Sequence, residues 1–370
     1  MIHDKPSLLA RIRPHVLVFD ATLLTALTLL VAMSLMTMHS AALDFDGRMG
    51  DHARNLFIAF AVMWVAASLP LQWIQRSAVP AYALGLALLV AVALFGDVAK
   101  GARRWLDLGV TRIQPSELMK IAMPLMLAWY FQRREGARGW VDFVVAGLLL
   151  AVPVGLIARQ PDLGTALLVS SAGLYVIFLG GLSWKVIAGG IVAGLASLPV
   201  LWSVMHDYQR QRILMMIDPS SDPLGKGFHV IQSTIAVGSG GIWGKGWMEG
   251  TQAHLEFIPE RTTDFIFAVF SEEFGLIGNA TLLAIYLLVI GRGLVIAANG
   301  ATLFARLLAG AITLVFFTYA FVNVGMVSGI LPVVGVPLPL MSYGGTAMVT
   351  LGIGLGLLMS IGRQRKLIQT

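Results

Sequence analysis

Apolar runs of about 17 to 28 residues recur along the chain, separated by short polar or Gly/Pro-bearing turns, and each is long enough for a bilayer-crossing helix. They fall near residues 16–38, 55–71, 78–96, 115–132, 140–158, 163–181, 184–205, 264–291, 304–328 and 338–361. The pattern predicts an all-α polytopic membrane protein with about ten transmembrane helices. The first run follows Lys5, Arg11 and Arg13 but exceeds the roughly 7 to 15 residue core of a secretory signal, so it reads as a retained span. One long polar block interrupts the series. Residues 206–263 contain several aromatics and the Gly-rich stretch GSGGIWGKGW (238–247), and they read as a large periplasmic loop of short amphipathic helices and turns at the membrane surface. The chain thus divides into 1–205 (seven spans with a basic outer loop at 97–114), the loop 206–263, and 264–370 (three spans, a Pro-rich outer turn at 329–345 and a basic tail).

Composition agrees with this reading. Of 370 residues, 57% are hydrophobic and 12% charged, whereas a water-soluble surface calls for about 25% charged residues. Soluble enzymes, nucleic-acid modules and disordered linkers are excluded. The absence of cysteine removes disulfides, thiolate metal sites and cysteine nucleophiles.

An even number of spans puts both termini on one side, and both are basic: Lys5, Arg11 and Arg13 at one end, Arg363, Arg365 and Lys366 at the other. That side is expected to be cytoplasmic, and the short turn bearing Arg133, Arg134 and Arg138 agrees. The connection 97–114 opposes the rule, with Lys100, Arg103, Arg104 and Arg112 on the outer side. Such a cluster either faces an anionic ligand or is met by lipid phosphate and the nearby Asp97 and Asp107.

Ionisable residues in or beside spans cost about 2.5 to 3.5 kcal/mol on insertion scales, so each calls for a role. Glu117 and Lys120 stand three apart behind Pro115 and share a helix face. They form either a helix-locking ion pair or a phosphate site in which Glu117 orients Lys120. Asp162 begins the sixth span and either caps exposed amides or faces the outer cavity. Asp264 lies where the outer loop enters an apolar helix, at the mouth of the membrane domain; capping is the competing reading there. On an ideal helix Glu272 and Glu273 lie about 12 to 14 Å deeper, too far for a paired-carboxylate hydrolase, and they read as structural partners of neighbouring spans.

The glycine-rich stretch fails the phosphate-loop pattern, because no Ser or Thr follows Lys245. Its glycines either bring backbone amides to a pyrophosphate or make interfacial turns. Seven histidines are scattered without a zinc spacing. Pro332, Pro337 and Pro339 break any helix in 329–345, and non-helical backbone at this depth is expected to line a cavity, with Ser342, Tyr343, Gly344 and Gly345 available to a ligand or simply forming a re-entrant turn.

The motifs KGARRWLDLG (100–109), IQPSELMK (113–120), QPDLGTA (160–166), HDYQRQRI (206–213), DPLGKGFHVIQS (222–233), GSGGIWGKGW, FIPERTTDFIFAVFSEEFG (257–275) and GILPVVGVPLPLMSYGG (329–345) resemble the SEDS family of shape, elongation, division and sporulation proteins, most closely its rod-shape branch. The resemblance spans residues 97–361. It implies a peptidoglycan glycosyltransferase that polymerises lipid II on the outer face of the cytoplasmic membrane, for lateral wall elongation. In these terms Asp264 matches the essential aspartate, implied to take the proton from the GlcNAc 4-hydroxyl as it attacks the anomeric MurNAc carbon, with inversion to a β-1,4 bond and release of undecaprenyl pyrophosphate. The resemblance also implies a class B penicillin-binding transpeptidase and other elongation-complex membrane proteins as partners. Arg103, Arg104, Lys120, Arg210 and Lys245 are the cations available to a pyrophosphate, with Trp105, Glu117, Asp162 and Ser342 as further substrate-binding candidates, and a divalent cation (Mg or Mn) could share the charge. The rival class is a carrier, such as a lipid-linked precursor flippase. Transporters place polar sites at the midplane, often in repeated halves, whereas here the ionisable residues gather near one face and no repeat is visible.

Overall fold

The computed structural model describes residues 18–99, 102–107, 112–136, 139–160, 162–205, 210, 213–214, 226–255, 257–258 and 260–368. In chain order these form α1 (Ala21–Ala41), α2 (Arg48–Ser68), α3 (Leu71–Phe95), β1 (Asp97–Ala99), β2 (Ala102–Asp107), β3 (Arg112–Ile113), α4 (Pro115–Arg133), α5 (Trp140–Ala158), α6 (Leu163–Leu179), α7 (Trp184–Val204), α8 (Lys226–Ser239), α9 (Thr251–His254), α10 (Ile266–Ala298), α11 (Leu303–Val327) and α12 (Gly345–Ile368).

The result is a helical, multi-span membrane fold. Among the described residues, α1, α3, α5, α10, α11 and Gly345–Gln364 of α12 are long and apolar enough to cross a bilayer, while α6 and the first part of α7 are shorter apolar helices. The long helices α2 and α4 instead carry charge, with Arg48, Asp51 and Arg54 at the start of α2 and Glu117 and Lys120 inside α4. Helix ends follow local chemistry. Asp20 and Thr302 cap α1 and α11 by accepting from Leu23 N and Ala305 N, and Pro115 takes the first position of α4, where a missing N–H costs nothing. Arg292 of α10 closes on Asp20 at 2.6 Å and ties the start of α1 to the far end of α10.

The centre of the bundle is α11: 78% of its apolar window is buried, against 28% for α3 and for α5 at the periphery. It packs against α10, α6 and α4, while α12 lies along α2 and α10 also meets α1 and α8.

Two features depart from the sequence pattern. The strands 97–99, 102–107 and 112–113 form a small antiparallel sheet of order β1-β2-β3, in which Val98 pairs with Arg103 and Leu106 with Ile113. The second is a break in α10, which the apolar run predicts as one continuous span. Gly275 sits at φ 61°, ψ −159°, a region essentially closed to residues with a Cβ. The loop 240–246 repairs the break bond for bond. Leu276 and Ile277 N–H groups donate to Gly241 O and Ile242 O (2.9 and 3.1 Å), while the carbonyls they would have met, Glu272 O and Glu273 O, accept from Lys245 N and Gly246 N (3.0 and 3.1 Å). No polar group freed by the kink among these eight is left unpaired, as an apolar surround requires.

Candidate active site

The segment leading into α10 is held by consecutive residues, each from a different direction. Arg261, 2% exposed, donates from Nε to Ala41 O (2.9 Å) and from its terminal nitrogen to Asp44 Oδ2 (2.5 Å), at the end of α1. Thr262 O accepts from Tyr343 N (2.8 Å), and its hydroxyl accepts from Arg48 at the start of α2 (2.7 Å). Thr263 O accepts from the Ser342 hydroxyl (2.6 Å), and Asp264 O accepts from Asn323 Nδ2 of α11 (2.9 Å). Each such bond contributes about 1 kcal/mol net, and breaking a buried one costs about 1 to 3 kcal/mol, so the set holds this main chain tightly.

What it holds is a carboxylate. Asp264 is half-buried and stands one residue before Phe265, the N-cap of α10. Its Oδ2 lies against Gly335 of the Pro-rich turn, where an added Cβ would stand 3.4 Å away. The same turn touches α6 on its other side: a Cβ at Gly164 would come within 2.7 Å of Val334 O. The non-helical 329–344 segment thus runs between the starts of α6 and α10.

At the start of α6, Asp162 takes the capping role and uses its second oxygen for Gln114 and Arg104. Oδ1 accepts from Thr165 N (3.1 Å) as a cap, and Oδ2 accepts from Gln114 Nε2 (3.0 Å) with Arg104 Nε at 3.9 Å. Arg104 also donates to Gln160 O (3.4 Å), which joins β2 to the end of α5. Below lies the buried pair of Lys120 and Glu117 (2.6 Å), with the ammonium 5.2 Å from the centre of the Tyr319 ring. Ser116 Oγ and Glu117 Oε2 are buried without a hydrogen-bond partner. Beside Lys120 opens a cleft lined by Ile312, Phe316, Tyr319, Leu351 and Leu355. Tyr319 and Asn323 are one turn apart on α11, so the ion pair and the Asp264 junction meet the same face of the central helix at neighbouring levels, about 6 Å apart along its axis.

Other sequence candidates are engaged elsewhere. Lys245 donates to Glu272 Oε1 (2.6 Å) and to the Thr251 hydroxyl (2.8 Å), and Ser40 donates to Glu273, so Glu273 partners a neighbouring span as expected, whereas Glu272 partners the 206–263 loop instead. The amides of Lys245 and Gly246 serve the break in α10, which favours the turn reading of the glycine-rich stretch over the pyrophosphate reading. Arg210 donates to Trp202 O and Ser203 O (both 2.9 Å) at the end of α7. Ser342 is buried between Thr263 O and Leu338 N (2.7 Å), where it supports the junction. Trp105 is half-buried in β2 opposite Asp97. The Arg103 side chain, Lys100 and most of 206–225 lie outside the described residues. Among the described residues no three His, Asp or Glu gather as a metal-binding set.

The residues that the sequence reading passed over are Arg48, Arg261, Asn323 and Gly335. A signal existed for Asn323, an amide inside the apolar run FTYAFVNVGMV, and for Arg261, three positions before the acid in a quoted motif.

A family model described as cell cycle protein, covering FtsW, RodA and SpoVE, matches residues 14–367. The peptidoglycan glycosyltransferase MrdB of Escherichia coli (strain K12) is 51% identical over 350 residues, which cover 94% of this chain and 95% of that protein. The peptidoglycan glycosyltransferase RodA of Treponema pallidum is 30% identical over 424 residues, covering 94% and 98%. Among solved structures, a chain from a peptidoglycan synthase complex described for its coordination of polymerization and crosslinking superposes with a TM-score of 0.82 at 34% identity, over 94% of this chain and 99% of that one. The rod shape determining protein RodA of Thermus thermophilus gives 0.71 at 30% identity, over 94% and 98%.

Proposed function

The chain belongs to the FtsW/RodA/SpoVE family of cell cycle proteins, and from that premise we propose how its site carries out the family's chemistry. It is a multi-pass inner-membrane peptidoglycan glycosyltransferase that polymerises glycan strands. The substrate is lipid II. Asp264 takes the proton of the GlcNAc 4-hydroxyl of one lipid-linked unit as that oxygen attacks the anomeric MurNAc carbon at the end of the growing chain. The new C–O bond forms as the bond from that carbon to undecaprenyl pyrophosphate breaks, and attack opposite the leaving group inverts the centre to a β-1,4 linkage. One well-placed base suffices for this step and contributes about 10²- to 10⁴-fold in rate. The observation that carries the assignment is the junction 261–264, where the main chain is bonded at every residue while the carboxylate at its end is only half-buried beside the Pro-rich turn.

Charge that develops on the leaving pyrophosphate needs cations nearby. Lys120 and Arg104 border the same interior region, where Glu117 and Asp162 hold them in place, and Arg103 is a further candidate by its place next to Arg104 in the sequence. A magnesium or manganese ion would be held mainly by substrate phosphates with one or two carboxylates, a mode that needs no preformed protein cage. Ten spans, both termini cytoplasmic and a periplasmic site with the 206–263 loop above it complete the topology, supported by the basic ends of the chain. A class B penicillin-binding transpeptidase is the expected partner, in keeping with the polymerization-and-crosslinking complex that its structural relative comes from.

Purified protein in lipid nanodiscs, supplied with lipid II, tests the assignment. Wild type is expected to form glycan strands, and Asp264→Asn to lose at least 10²-fold of that rate with an unchanged melting temperature. Lipid II movement across the bilayer without polymer from the wild type would favour the carrier reading instead.

A further inference from the structure

Asn323 stands on the most buried helix of the bundle, is 0% exposed, and uses one side-chain nitrogen for two bonds: Nδ2 donates to Asp264 O at 2.9 Å and to Val336 O at 2.7 Å. The orientation of the amide follows from its neighbours. Two carbonyl oxygens can be met only by the NH2 end, whose two hydrogens match them one to one. The acceptors belong to different elements. One is the main chain of Asp264, the proposed base, and the other is the residue after Gly335, the point where the Pro-rich turn lies against the Asp264 Oδ2. A single side chain therefore sets the separation between the carboxylate's own backbone and the wall it faces. Its Oδ1 is buried without a partner, a cost that an apolar residue of similar size would not carry.

We infer that Asn323 is a positioning residue for the transferase step: through its paired hydrogen bonds it locks Asp264 and the 335–336 turn at the spacing that the acceptor sugar hydroxyl requires. This rests on the reading of Asp264 as the base. Ser342 and Tyr343 hold the two preceding residues from the far end of the same turn, so Asn323 supplies the last contact before the carboxylate. The expected signature is kinetic. Misplacement of a reacting group by about 1 Å costs on the order of 10²-fold in turnover, whereas substrate affinity, set by contacts along the lipid and sugars, changes little.

The full-length chain in lipid nanodiscs, with lipid II as the titrated substrate, separates the outcomes. Asn323→Asp keeps the shape but replaces the NH2 by an acceptor facing two carbonyls, and it is expected to lower kcat about 10²-fold with KM within about threefold. Asn323→Ser retains one donor and is expected to fall between the two. Thr318→Val removes the hydroxyl that bonds Tyr175 (2.7 Å), five residues earlier on the same helix, and is expected to keep kcat. Adding Asn323→Asp to Asp264→Asn should cost almost nothing more, since a positioning residue has nothing left to position. The inference is overturned if Asn323→Asp, or Asn323→Ser should the aspartate variant fail to fold, keeps kcat within threefold while Asp264→Asn is inactive. Polymerisation by Asp264→Asn at the wild-type rate overturns the base assignment itself, whatever Asn323 does.

Discussion

Asp264, just before α10, and Glu272, in its first buried leg, belong to the same stretch of chain, and what surrounds them differs in kind. At Glu272 the side chain is the hub: Oε1 accepts from Lys245 Nζ, from Thr251 N and Oγ1 (both 2.9 Å) and from Gln252 N (3.1 Å), and the residue is 0% exposed. At Asp264 the main chain is the hub, and the carboxylate emerges from it half-buried. A carboxylate saturated by fixed donors is a staple, because any new partner must displace bonds already made. A half-buried carboxylate on a backbone bonded at every residue is a mount, rigid where it is attached and partly exposed where it ends, which suits the proposed role of a base.

The comparison is tested most severely from the staple end. Gly244 has φ +82°, and a Cβ there would lie 2.1 Å from Glu273 O, a main-chain atom that cannot swing aside. Gly244→Ala therefore combines left-handed strain with a backbone clash, each costing about 1 to 3 kcal/mol, and is expected to reduce the yield of folded protein sharply. Detergent extraction followed by size-exclusion chromatography measures this; a monodisperse Gly244→Ala preparation at wild-type yield contradicts the packing described. Glu272→Ala comes next. It removes the carboxylate partner of Lys245, which keeps only the Thr251 hydroxyl, and leaves two amides unpaired, at an expected cost of about 1 to 3 kcal/mol, seen as a lower melting temperature. Turnover per folded molecule should stay near wild type, and a loss of turnover on the scale of Asp264→Asn would erase the distinction between staple and mount.

These contrasts bear on what could be read before the coordinates. Spans were legible because the run length of apolar residues reports bilayer thickness directly. The place of Asp264 at the lip of an apolar helix was legible, as was the family motif around it, although the sequence left capping open as a competing role. The partner of a cation was not legible. Lys245 and Arg210 carry the right sign for a pyrophosphate, yet Lys245 meets Glu272, twenty-seven residues on, and Arg210 meets carbonyls at the end of α7. Charge is a property of the residue, but its partner is a property of the fold. The break in α10 was hidden for a related reason. FGLIG continues an apolar pattern, and only the loop 240–246 docking into it reveals that Gly275 is left-handed rather than helical. Asn323 was visible only as an unexplained amide in an apolar run.

The mildest test falls on the mount. Ser342 donates to Thr263 O and accepts from Leu338 N, so Ser342→Ala frees one buried carbonyl and one buried amide, at an expected cost of about 1 to 2 kcal/mol. Thr262 remains held by Tyr343 N and Arg48, and Asp264 by Asn323, so the carboxylate should shift by less than in the Asn323 variants. Turnover is then expected to fall about tenfold or less, with a melting temperature lowered by a few degrees. Lipid II titrations beside thermal melts on the same preparation measure both quantities. A mount built from several bonds in series predicts that losses grade with distance from Asp264, larger at Asn323 than at Ser342. Equal losses at the two positions, or a larger one at Ser342, would instead make the Pro-rich turn as a whole the element that holds Asp264.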